Sequence, residues 1–259
     1  IAPHDDDGAA APAPVPLQRV GRRGRGSALW RVELADWARG VLAPAAALPP
    51  DTALPPLTDT PLLALATRLA LGDDGVRALA LLYGAWLTGA PRPALAALAR
   101  AVEWDEAGGA GTLPTAGLTT VVGGRVALRT AVARFLDGAA PTRVLLAGAG
   151  TPASPPRGPH WVATDPALSL DAAARAVAAA LGAAAITDEA RAGGRRGLAI
   201  ALDEAWLRQR PLIALPSGGF DVDALAATAV RPDHALIVVW PDREPPPALA
   251  SWTALALPR

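Results

Sequence analysis

The stretch "PTRVLLAGAGTPASPPRGPHW", residues 141–161, carries the decision about the fold. Apolar Val144, Leu145, Leu146 and Ala147 run into a glycine-punctuated loop, the pattern of a strand entering a phosphate-binding loop. Such a loop supplies G-K-[ST] and opens a helix, whereas this one continues as Thr-Pro-Ala-Ser-Pro-Pro. Gly148 and Gly150 remain at the mouth of the strand and are the candidate cofactor-binding residues. Phosphate loops work because glycines turn backbone N–H groups toward the phosphates and a lysine meets the terminal charge. Proline has no N–H to offer. All 24 basic residues are arginine, so no lysine completes the cradle, and the forked head of Arg157 is no substitute for an ammonium point charge. The expectation is a degenerate phosphate loop, with no bound cofactor; ATP and magnesium enter only through an unorthodox site.

Composition bounds the rest. The chain has 259 residues, 51% hydrophobic and 19% charged, which suits two modest globular domains and excludes wholesale disorder. A net charge of +0 gives no bulk attraction toward a polyanion. Without cysteine there is no disulfide framework, thiolate metal site or cysteine nucleophile. The opening "IAPHDDDG" reads as a processed chain or part of a longer one. No signal peptide is evident, and uncharged apolar runs such as "ALALLYGAWLTGA" fall short of the ~20 residues a spanning helix needs. A soluble, cytoplasmic protein is expected.

Residues 1–26 read as a disordered tail, with an arginine–glycine run taken as a solvated linker. Residues 27–60 read as a helix and a proline-rich spacer, with Ser27 as N-cap and Trp30, Leu34, Trp37 and Val41 at helical spacing. Residues 61–140 follow as three short helices and a β-hairpin turning at Gly123-Gly124, the plan of a winged helix. The second of these helices buries a stripe of Val76, Leu79, Tyr83, Trp86 and Leu87. Residues 141–259 alternate strands and helices, which predicts a parallel sheet covered on both faces.

"LAIALDEAW" imitates the magnesium-binding strand of an ATPase through Asp203 and Glu204. Leu198, Leu202, Ala205 and Trp206 space as a helix face, however, so both acids are expected on a solvated helix edge. The better strand is "PLIALPSGG", which ends in Pro216-Ser217 where acids belong. Ser217 lacks the G-x-S-x-G setting of a hydrolase nucleophile, even with His234 as a hypothetical base. His4, His160 and His234 lie far apart, so no metal site is expected. The third helix exposes only Arg100 and Glu103, and the hairpin offers Arg125 and Arg129, too little for DNA readout. No catalytic residue emerges.

The pieces "LALATRLALGDDGVRALALLYGAWL", "PALAALARAVEW", "LPTAGLTTVVGGRVALRTAVARFLDG", "RVLLAGAG" and "AARAVAAALGAAAITDEA" carry a family resemblance. Together they resemble the N-terminal half of a group of bacterial AAA-family ATPases, some of which accompany extracellular contractile injection systems. In these a winged-helix-like domain precedes a degenerate first AAA module, and a competent module follows. "ALIVVWPDREPPPALASW" looks like the sensor strand, with Val239-Trp240 in place of its Asn or Thr. The resemblance implies a non-catalytic regulatory or assembly region whose partners are another protein or neighbouring AAA subunits. The alternatives are an ATP-hydrolysing protein, active beyond this chain or in an unorthodox site, and a winged-helix DNA-binding regulator.

Overall fold

The computed structural model describes residues 26–42, 53–89, 93, 98, 117–149, 156–165, 167–217, 222–228 and 230–256. They fall into two compact units, residues 1–128 and 129–259, so the division comes ahead of the expected boundary after 140.

The first unit is built on α3 (Asp73–Leu87), against which α1 (Gly26–Leu42), α2 (Pro61–Arg68) and a hairpin strand pack. Thr60 caps α2 by accepting from the Leu63 amide, with Pro61 at the first helical position. Helix α1 starts at Gly26, which places Ser27 inside its first turn and not before it. Trp30, Leu34 and Trp37 are buried, and the Trp30 ring lies 5.6 Å from that of Tyr83. Residues 78–85 of α3 are buried all round, a wider surface than one stripe. Trp86, expected in that stripe, is 44% exposed. Strands β1 (Thr119–Val122) and β2 (Arg125–Leu128) pair antiparallel across Gly123-Gly124, whose φ angles of 59° and 69° fit the hairpin turn that needs two left-handed residues. The Val126 amide donates to the Pro93 carbonyl. Apart from Pro93 and Leu98, the expected third helix lies outside the described residues, as do the tail and most of the proline-rich spacer.

The second unit opens with α4 (Thr130–Leu136) and continues as an α/β fold: β3 (Leu145–Ala147), β4 (Gly158–Ala163), α5 (Leu170–Ala180), β5 (Ala184–Thr187), α6 (Glu189–Ala192), α7 (Arg195–Leu207), β6 (Leu212–Ala214), α8 (Val222–Ala226), β7 (Ala235–Trp240) and β8 (Thr253–Ala254). The six strands lie in the order β3-β5-β6-β7-β4-β8. Five are mutually parallel and β3 runs antiparallel on the edge, so the sheet is mixed and not wholly parallel. Alternation along the strands fills both faces. Leu236 and Val238 of β7 join Leu198, Ala201 and Leu202 of α7, while Ile237 and Val239 join Ala174 and Val177 of α5.

Two expectations fail here. Strand β4 sits inside what the sequence presents as a proline-rich loop, with Pro159 near its start, where a missing N–H is tolerated. Asp203 and Glu204 lie on a helix, as expected, but are buried at 5% and 2% exposure, because a second layer covers that side of α7.

Candidate functional site

Gly148 adopts φ 76° where the chain leaves β3. A Cβ there would stand 2.3 Å from the Gly182 carbonyl oxygen and 2.9 Å from Ala183 Cα, so glycine is required for backbone contact with the turn before β5. Arg210 Nη1 donates to the carbonyls of Ala147 and Gly148, both at 3.1 Å. Gly150 lies outside the described residues. The chain passes next into a strand, β4, whereas a phosphate loop joins a strand to a helix N-terminus.

That strand–loop–helix unit exists one strand later, as β4, residues 164–169 and α5. From β4 the chain crosses to β5 at the far side of the parallel array, then returns through β6 to β7, and crosses beyond β4 to β8. The carboxyl ends of β4 and β7 therefore flank the switch point where open α/β sheets bind ligands. Here the loop reads Thr-Asp-Pro-Ala-Leu-Ser, with no glycine. The Thr164 amide donates to Trp240 O at 2.9 Å. Asp165 Oδ1 takes the Ala167 amide at 2.9 Å, and Ser169 Oγ takes the Ala172 amide at the start of α5 at 3.2 Å. The amides of Thr164, Ala167 and Ala172 are thus already engaged, and Asp165 adds a carboxylate beside them. Across the crevice β7 leads into exposed Asp242, Arg243 and Glu244.

No family model, curated protein or solved structure matches the chain.

Asp203 and Glu204 form the most elaborate polar site among the described residues. Arg129 Nη1 and Nη2 approach Asp203 Oδ1 and Oδ2, each at 3.0 Å, and Arg231 Nη2 donates to Oδ1 at 3.1 Å. The Arg231 guanidinium also lies 4.0 Å above the Trp206 ring, whose Nε1 donates to Asp233. Burial pushes the Asp203 carboxyl above its ordinary range, opposed by Arg129 and Arg231. Glu204 accepts from the amides of Thr142, at 2.9 Å, and Arg143, at 2.7 Å, and from the Thr142 hydroxyl at 3.1 Å. Both carboxylates are committed to protein donors, which suits joining segments of the fold and not the holding of magnesium.

The remaining candidates do not converge. Ser217 is exposed beyond the carboxyl end of β6, and His234 is buried at the amino end of the neighbouring β7, with its Nε2 2.8 Å from Arg210 O. Since Ala214 faces Val238, a strand's length of roughly 20 Å separates serine from histidine. His160, on β4, pairs its Nε2 with Arg157 O at 2.9 Å, and His4 lies outside the described residues. Among the described residues no group of three or more His, Asp or Glu side chains is placed to hold a metal. Nor, among the described residues, is any helix long and apolar enough to cross a membrane. Arg129, offered to DNA by the sequence reading, is spent on Asp203.

Residues 164–169 and the switch point are what sequence reasoning missed. The signal was present in "HWVA" followed by "TDPALS", an apolar run and a helix cap, but prolines on both sides concealed it.

Proposed function

We propose that this chain is a non-catalytic regulatory or assembly region of an AAA-type ATPase, acting through contacts with a partner protein or neighbouring subunits. The observation that carries the reading is the composition of the switch-point loop. A strand–loop–helix unit stands where nucleotide-binding sheets place their phosphate loop, yet it holds a proline and an aspartate and no glycine or lysine. Numbered from β4, the parallel strands run fifth, first, fourth, third, second, which sets the first strand beside the switch point. Strand β6, third in that numbering, leads into Pro216 and Ser217 where a metal-binding acid and a water-activating acid would stand.

The test is equilibrium binding of ATP with magnesium to the full chain by calorimetry. No saturable binding is expected up to millimolar nucleotide, and a micromolar Kd would sink the proposal.

A further inference from the structure

The hairpin of the first unit has one edge engaged and one open. Its two-residue turn makes Val122 and Arg125 a hydrogen-bonded pair, and bonded and non-bonded pairs alternate from there along the register. Thr120 and Ala127 are therefore bonded, while Val121 and Val126 face each other unbonded and turn their backbone groups outward, on opposite edges. On the β2 side the outward Val126 amide meets the Pro93 carbonyl at 3.0 Å, as this phase requires. On the β1 side, among the described residues, no hydrogen bond reaches the outward groups of Val121. Thr119 is buried, whereas Thr120, Val121 and Val122 are exposed, the two valines at 50% and 61%. Sheet edges are ordinarily guarded by charge, by proline or by a covering segment. Residues 119–122 contain neither charge nor proline.

We propose that two copies of this chain associate through β1, pairing antiparallel about a twofold axis at Val121 and joining their hairpins into one four-stranded sheet. A second copy fits this edge because the strand is complementary to itself. Val121 opposes Val121 of the second copy, and the two exchange both N–H···O=C bonds, since their outward groups have the phase of a hydrogen-bonded pair. Thr120 opposes Val122 of the second copy on either side of the axis. Residues branched at Cβ thus meet their own kind, and no like charges are brought together. Such an isologous contact occupies both open edges at once and stops at two copies. The inference concerns the hairpin and not the switch-point loop, so it stands whether or not the chain binds nucleotide.

Sedimentation equilibrium of the full chain, from about 1 μM to about 1 mM, should show a monomer–dimer equilibrium with a Kd of roughly 10–100 μM, as suits a contact below the standard interface size. Val121→Lys and Val121→Asp each set like charges on the axis and should abolish the dimer throughout that range. Circular dichroism should not change, because this side chain is half exposed and its amide lies outside the hairpin's own ladder. An equimolar mixture of the two variants should dimerise again, since lysine then faces aspartate. A wild type that stays monomeric would leave the edge to a strand of some other protein and overturn the proposal. A dimer that survives either substitution, or variants that fail to recover on mixing, would overturn it as well. Should a variant not fold, amide exchange of the wild type decides. The Val121 amide should slow by at least about tenfold from dilute to concentrated solution, and an unchanged rate would refute the pairing.

Discussion

Burial raises the Asp203 carboxyl above its ordinary 3.8, and the guanidinium groups of Arg129 and Arg231 only partly offset that desolvation. The folded chain therefore holds this proton more tightly than the unfolded chain does. The resulting stability is complete below 3.8 and is lost as pH rises through the raised value. Asp203→Asn removes this dependence, so as pH rises above about 4 the wild type should lose stability relative to the variant. Urea unfolding at a series of pH values measures it; a wild type that gained on the variant with rising pH would mean that the arginines outweigh desolvation. The helical placement of Asp203 was legible in the spacing of Leu198, Leu202, Ala205 and Trp206. Its burial was not, because the covering donors Arg129 and Arg231 come from distant parts of the chain and periodicity reports only one face of a helix.

Helices α1 and α3 meet at Gly84, where a Cβ would fall 2.3 Å from Ala38 Cβ and 2.9 Å from Leu34 O. The nearer atoms belong to a short side chain and to backbone, so neither can swing aside. Gly84→Ala should cost about 1–3 kcal/mol despite alanine's better helix propensity, and shift the emission of Trp30, which lies against Tyr83. Thermal melts with tryptophan fluorescence check this, and an unchanged or raised Tm would refute the close crossing. Among elements, the capped helices were the most legible: the Asp/Thr pair before Pro61 and the choice of Ser169 or Asp171 each include the cap observed, Thr60 and Ser169. Strand β4 was not, because Gly158 and Pro159 signal a loop locally, and only its pairing with β7 and β8 makes it a strand. The antiparallel direction of β3 has no local signature at all, since an apolar triplet reads the same whichever way its neighbour runs.

At the scale of the molecule, the apolar clusters on the two sheet faces draw all their members from residues within 129–259. A fragment of those residues should therefore fold alone, with mixed α/β circular dichroism and one cooperative urea transition; a featureless spectrum would count against the two-unit division. The alternation of strands and helices revealed the α/β class, and the hairpin before it was equally plain. What spacing could not reveal was strand order, which depends on where each crossover lands. That order moved the candidate ligand site from the loop after Gly148 to residues 164–169.

Strand β4 pairs with β7 on one side and with β8 on the other, both made later than itself. On the ribosome, at ~5–20 residues per second, roughly 4–15 s pass between synthesis of Gly158 and of its partner Ala235. Throughout that interval Trp161 and Val162 belong to a strand with both edges open, the condition under which nascent chains pair with the wrong neighbour. Pro159, without an N–H to offer a stranger, and Pro156 just ahead of it shield the beginning of that waiting strand until its own neighbours have been made.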